Sequence, residues 1–288
     1  MPSITDLDDL INCASSTANS ENVFFHKTGR IAGTALTVTF ATGRQTSMWM
    51  VDGFPCGGVT GDITTTTSTT AGAIPTSGTT GCMPTANAQS GNNKWLIQAA
   101  GSNIIGGTFM LYDRLYHNRN LSGTSTAEQT VQGFPASPAL TRYTDGVGNM
   151  AFIEIYTQIG ATLTTIKMDY TNQDGVTGQI SELTAIGNNG RREAGRIIPM
   201  PLKKGDTGVQ AVKSVTLTAT TGTVGDFGVV IAHPLSLFSS AAAGSCGWRD
   251  YTNAGIPEIM NNECLAVMFT PSAATVPEIF GNFTMVET

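Results

Sequence analysis

The chain has 288 residues, enough to bury a substantial core as one large domain or two small ones. Only 12% of them are charged, against 40% hydrophobic residues and 33 glycines, so a free monomer would expose an unusually apolar surface, and copies or partners are expected to cover part of it. The formal net charge of −6 argues against nucleic-acid binding through phosphates, and no run reaches the ~20 apolar residues of a membrane-spanning helix.

From the N-terminus, Ser3 to Ala18 predicts a helix. Ser3 is its expected cap with Asp6 three residues on, Asp6, Asp8 and Asp9 suit the positive end of the dipole, and Ile4, Leu7, Leu10 and Ile11 recur at helical spacing. Such a helix either docks on its own domain or reaches a neighbouring subunit, with those four apolar residues as the candidate contact. These first residues are acidic where a secretion signal would be basic, so synthesis in a cytoplasm is expected. Strand patterning follows in TALTVTF (34–40) and SMWMV (47–51). The tract from Ile63 to Thr85, rich in Thr and Gly, has little that could form a core; it reads as an extended loop or partner-wrapping arm, with Thr65 and Thr66 as candidate contacts. KWLIQAAG (94–101) and GTFMLYDRLYH (107–117) come next, the second compatible with strand or helix, and 118–138 is loop-like.

The second half is a succession of strands and Gly-bearing turns. AFIEIYT (151–157) precedes ATLTTIKMDY (161–170), in which Ile166, Met168 and Tyr170 share one face and Thr165, Lys167 and Asp169 the other. TNQDG (171–175) is a turn. In 209–219, Val209, Ala211, Val215, Leu217 and Ala219 alternate with polar residues, Lys213 being the exception, and this strand is expected to meet FGVVIA (227–232) in a hairpin across TGTVGD. ECLAVMFT (263–270) predicts a buried strand and NFTMVE (282–287) a closing one. The expected fold is all-β, an antiparallel β-sandwich or jelly-roll-like architecture with a short N-terminal helix. The expected division is a helical arm (1–20), an N-terminal β region (21–138) carrying the Thr-rich loop 63–85, and a C-terminal β-sandwich domain (139–288).

Motifs for chemistry are weak. Gly146-Val147-Gly148-Asn149-Met150-Ala151 matches a dinucleotide-binding spacing, but the segment after it is β-like where that motif opens a helix. DYTNQDG places Thr171 and Gln173 where a calcium loop wants carboxylates, so it reads as a hairpin turn. His26, His117 and His233 stand apart without a nucleophile motif; Ser245-Cys246 in GSCGW reads as a loop. The cysteines Cys13, Cys56, Cys82, Cys246 and Cys264 lack the paired spacing of a zinc site and read as free, mostly buried thiols. Arg191, Arg192 and Arg196 with Lys203 and Lys204 form the one basic cluster, read as a solvated or intersubunit loop rather than a phosphate site. No enzyme activity, cofactor or metal is expected.

The segments LYDRLYH (111–117), LTRYTDGVG (140–148), DYTNQDGVTG (169–178) and GRIIPMPLKKGDTGVQAVKSVTLTATTGTVGDFGVVIAHPL (195–235) together resemble virion structural proteins of tailed bacteriophages. The resemblance spans roughly 110–235 and brings no catalytic residues. It implies a capsid-associated protein, a cement or decoration component bound to the major capsid protein on the head exterior, made in the host cytoplasm and self-associating, with a trimer suiting the threefold junctions of a shell. A tail or receptor-binding component, or a carbohydrate-binding β-sandwich using Trp49, Trp95 or Trp248, are the alternatives.

Overall fold

The computed structural model describes residues 4, 6–16, 18–33, 38, 40–58, 72–131, 140–188, 190–275 and 278–288. Helix α1 (Leu7–Ser15) is followed by β1 (Ser20–Ile31), β2 (Thr46–Ser47), β3 (Val51–Phe54), β4 (Lys94–Asn103), β5 (Gly107–His117) and β6 (Gln129–Thr130). Then come β7 (Met150–Thr157), β8 (Thr164–Asn172), β9 (Gln179–Ile180), β10 (Thr184–Ile186), β11 (Ile197–Pro199), β12 (Val209–Leu217) and β13 (Asp226–Ser240). The chain closes with β14 (Cys246–Asp250), α2 (Tyr251–Ala254), β15 (Glu258–Ile259), β16 (Leu265–Pro271) and β17 (Ile279–Glu287). No helix among the described residues is long and apolar enough to cross a membrane.

The pairings of these strands are antiparallel and build three sheets, as the alternation of apolar and polar residues predicts. The central sheet has the order β11-β7-β13-β5-β16-β2. At one end it buries Ala151, Ile153, Ile155, Phe227, Val229 and Ile231 against Ile166, Met168, Tyr170, Val212, Val215 and Leu217 of a second sheet, β10-β8-β12-β6 with β9 on β8. At the other end Phe109, Leu111, Phe238, Leu265, Val267 and Phe269 pack on Val23, Phe25, Ile279, Phe283 and Met285 of a third sheet, β14-β4-β17-β1-β3 with β15 on β4. Strand β13 feeds both cores, and register shifts between Ile231 and Ala232 and between Pro234 and Ser236 separate its two parts, as expected of bulges that bend a long strand. The far face of the central sheet is covered by Trp49, Met50 and Cys82, packed on Tyr112, Phe152, Val230, Ala266 and Met268.

A glycine makes room for the aromatic core of the third sheet. A Cβ on Gly281 would stand 2.3 Å from the Phe25 ring, the ring that stacks on Phe283 at 5.2 Å. Its sheet partner Gly101 lies in the same way under Phe238 and Phe109.

Several expectations are corrected. The helix begins at Leu7 and not at Ser3, because Asp6 is the cap: its carboxylate accepts from the Asp9 amide at 2.9 Å. Ile4 therefore precedes the helix. The helix lies on its own chain, with Leu10 buried against Ile97 and Val286 and Ile4 packed alongside, while Leu7 and Ile11 point outward, 54% and 53% exposed. Helix α1 thus packs on the chain's own third sheet. The strand 209–219 does not form a hairpin with 227–232. Strand β12 pairs with β8 and β6, and β13 pairs with β5 and β7, so the two face each other across a core, with Leu217 and Phe227 in the same cluster. Lys213 loses its exceptional status, since a register shift between Val212 and Ser214 turns Val212 inward and leaves Lys213 exposed beside Asp169 at 3.1 Å.

The expected division at 138 and 139 falls outside the described residues, and the sheets do not respect it: β5 pairs with β13 and β16, and β17 pairs with β1 and β4. Thr65 and Thr66, like 63–71 as a whole, lie outside the described residues, as does most of 34–40. The remainder of the Thr-rich tract folds against its own chain: Ala73 bridges to His117, and Cys82 and Met83 are buried. The five cysteines are free, but only Cys82 and Cys264 are buried; Cys13 is half-buried, and Cys56 and Cys246 are exposed.

Candidate functional site

Paired residues of an antiparallel sheet project to the same side, so register alone identifies what the third sheet presents away from its core. Trp248 pairs with Ala100, Ala100 with Asn282, and Asn282 with Phe24. In the neighbouring row Cys246 pairs with Ser102, Ser102 with Phe280, Phe280 with His26, and His26 with Phe54. Five strands are crossed, about 19 Å at the usual strand spacing. Phe24, Phe54, Trp248 and Phe280 are 63%, 55%, 54% and 44% exposed, and the His26 ring stacks on Phe280 at 4.5 Å. Small or polar side chains lie between them, so the aromatic rings stand clear of the sheet. Helix α1 covers the other end of the same face over Val286 and Trp95, which are themselves a pair. An exposed aromatic face of this kind is a candidate contact surface.

The sequence had placed only Trp248 among candidate contacts, and of its companions Trp49 is buried in the core and Trp95 lies against α1. Phe24, Phe54 and Phe280 come from three separated strands, and only the pairing register brings them together. Among the four apolar residues expected on the helix, the structure puts Leu10 and Ile4 to work in the chain's own packing and leaves Leu7 and Ile11 outward.

A cleft of about 740 Å³ opens on the opposite side, between the β10 and β11 segments and the outer side of Met110 and Leu237. Arg191 and Arg196 line it, and they are joined by Arg44, from a distant segment that sequence reading did not connect to them. Lys203 stands apart from these guanidiniums, donating to Gln179 at 2.9 Å.

Two buried polar networks sit inside the central sheet. Arg114 Nη2 donates to Glu154 Oε2 at 2.5 Å, Nε donates to His117 Nδ1 at 2.9 Å, and the guanidinium lies 4.6 Å from the Trp49 ring centre. Burial and the Arg114 charge hold His117 well below its ordinary pKa, so it is neutral and its Nδ1 can accept. Burial alone would lower the Arg114 pKa, but the Glu154 carboxylate and the adjacent phenols raise it. In the second network Arg142 grips Asp113 through Nε at 2.6 Å and Nη2 at 3.0 Å, while the Tyr143 hydroxyl donates to Glu263 at 2.6 Å. His233 stacks on Tyr143 at 3.6 Å and meets Asn149 at 2.9 Å. Every one of these groups is held by a neighbour in the chain, an arrangement suited to joining strands. Among the described residues, no three His, Cys, Asp or Glu side chains are placed to hold a metal ion.

Burial, and next the Asp113 charge, push Glu263 up to about 8 from an ordinary 4.5. The folded state therefore favours the protonated acid. Its stabilising contribution is complete below about pH 4.5 and is lost as pH rises through about 8. Glu263→Gln is expected to remove about a few kcal/mol of this pH dependence, measured as the difference in denaturation free energy between pH 5 and pH 8 for the two proteins. Equal slopes in wild type and variant would disprove it.

No family model matches the sequence, and no curated protein matches it. Among solved structures, the VP2 subviral particle of infectious bursal disease virus is similar at a TM-score of 0.16 and 8% identity, over 93% of this chain and 80% of that one. The T=1 particles derived from the same virus are similar at a TM-score of 0.17 and 10% identity, over 93% and 77%. A likeness this faint carries nothing about function; the antiparallel sandwich stands on the sheets described above.

Proposed function

We propose that this chain is a structural protein of a virion, a cement or decoration protein that binds the outside of a tailed bacteriophage head and reinforces its shell. The observation that carries the reading is the exposed aromatic face of the third sheet, with Phe24, Phe54, Phe280 and Trp248 on four of its strands. Such a face repays burial against a broad partner surface, and interfaces of standard size bury on the order of 1,600 Å². A low-charge chain and the sequence resemblance over 110–235 support the same reading. The chain acts without catalysis, metal or cofactor; it self-associates, as a trimer matched to threefold junctions, and its partner is the major capsid protein. Each contact contributes modestly, and the symmetry of the shell multiplies it.

The test joins imaging with mutation. Reconstruction of the particle should place the chain on the head exterior with the β1-β17-β4-β14 face against the shell, and Trp248→Ser with Phe280→Ser should fold normally yet lose shell binding about tenfold or more. A location in the tail, or unchanged binding by the double variant, refutes the proposal. A second reading, glycan binding, draws on the same exposed Trp248 beside the Asn and Ser side chains of that face. Saturable binding of an oligosaccharide, lost in Trp248→Ser, is the outcome that would favour it.

A further inference from the structure

The cleft lined by Arg44, Arg191 and Arg196 has no role in the docking face, which lies on the other side of the molecule. Its volume of about 740 Å³ falls within the range of small-molecule sites. About half of its lining is apolar, supplied by Met110, Leu183, Ile198, Pro199, Pro201 and Leu237. Leu183 and Leu237 are 57% and 48% exposed, so this wall is open to a ligand.

The polar wall is made of guanidiniums. Arg196 is buried and fixed, with Nη1 donating to Thr46 Oγ1 at 2.8 Å and to the Arg44 carbonyl at 3.2 Å, and Glu193 stands 3.8 Å from Nη2. Arg191 donates to the Ala185 carbonyl at 3.4 Å. Neither Arg44 nor Arg191 has a carboxylate within ion-pair distance among the described residues. Arg44 is pressed close to the turn that carries Arg191: a Cβ on Gly190 would stand 3.3 Å from Arg44 Cγ. Burial and the neighbouring Arg44 charge both lower the Arg191 pKa, as two facing cations require. Glu193 pairs with Arg192 and Arg196, each at 3.8 Å, so among the described residues Arg44 and Arg191 face the cleft without a carboxylate of their own, in a chain whose net charge is −6.

We propose that this cleft binds a small amphipathic acid, a phosphate or carboxylate carried on an apolar body, with Arg44 and Arg191 clamping the anion and Leu183, Pro201 and Leu237 covering the body. An oxyanion relieves the repulsion between the two arginines and accepts planar, charge-assisted hydrogen bonds from them. A bare inorganic anion fills only the charged end and leaves the apolar wall wet, so the apolar body adds affinity.

The test uses the full chain and calorimetric titration with octyl phosphate, octanoate, inorganic phosphate and octanol. Octyl phosphate is expected to bind saturably at one site, about tenfold or more tighter than inorganic phosphate, and octanol not at all. Arg44→Ala with Arg191→Ala should abolish binding of both phosphates with the melting temperature unchanged, because neither side chain is held by a carboxylate of its own fold. Leu237→Ser should weaken octyl phosphate and leave inorganic phosphate unaffected. Absence of saturable binding by both octyl phosphate and octanoate, saturable binding of octanol, binding that survives the double arginine variant, or equal affinity for octyl and inorganic phosphate would each overturn the proposal. Binding of polyglutamate alone would also overturn it, by making the ligand an acidic polypeptide.

Discussion

Glu154→Ala is expected to cost about 3–5 kcal/mol of folding stability, read as a drop in the denaturant midpoint. Arg114 and Glu154 are both fully buried in the middle of the central sheet, and Glu154 supplies the only carboxylate in ion-pair contact with Arg114 among the described residues. Truncating the acid strands a guanidinium that burial keeps from water. His117 cannot take its place, because its accepting nitrogen already faces Nε and the ring is held neutral. The pair is nonetheless not expected to be a large net source of stability, since removing two charges from water costs nearly what their attraction returns. The double variant Arg114→Met, Glu154→Leu should therefore recover most of the loss. A Glu154→Ala protein within about 1 kcal/mol of wild type would show that the charge is solvated in some way the packing does not provide.

Phe109→Ala carries an expected cost of about the same size, ~3–5 kcal/mol, through a different cause. Phe109 lies fully buried where the central and third sheets meet, stacked on Phe238 at 5.1 Å and tilted against Phe269 at 4.8 Å. Its ring also fills the space that Gly101 leaves open, so truncation opens a cavity with backbone on one wall and aromatic edges on the others. The informative control is Phe280→Ala on the opposite face, where the ring is 44% exposed. That change is expected to move stability by no more than about 0.5 kcal/mol. Equal effects at the two positions would mean that the outer aromatic face is part of the fold's own packing, and the docking proposal would lose its basis.

Local patterning revealed the strands and misjudged how they associate. Ile166, Met168 and Tyr170 read correctly as one buried face because a period of two needs no knowledge of the partner strand. The turn at TNQDG was equally legible, since Asn172 Oδ1 accepts from the Asp174 and Val176 amides and Gly175 takes φ +73°. The hairpin expected across TGTVGD failed for a definite reason. Sequence adjacency favours pairing side by side, but the apolar faces of β12 and β13 are both wide enough to form opposite walls of one core, and the connection crosses between sheets instead. The helix was legible as an element and misread at its start, since Ser3 and Asp6 are both good caps and only the observed hydrogen bond to the Asp9 amide distinguishes them.

The candidate surfaces divide along the same line. Apolar composition, low charge and alternation within each strand are local or additive properties, so the sequence by itself determined that the chain is antiparallel β with a short helix. Which aromatic side chains form the candidate contact surface is a non-local property: Phe24, Phe54, Phe280 and Trp248 belong to β1, β3, β17 and β14, and inter-strand register alone places them in adjoining rows. The same holds for the cleft, where Arg44 comes to Arg191 and Arg196 through the isolated bridge between Thr46 and Arg196. A residue's side of a strand is set by its own position, whereas its neighbours across the sheet are set by which strands pair and where bulges shift them, and that only the tertiary structure decided.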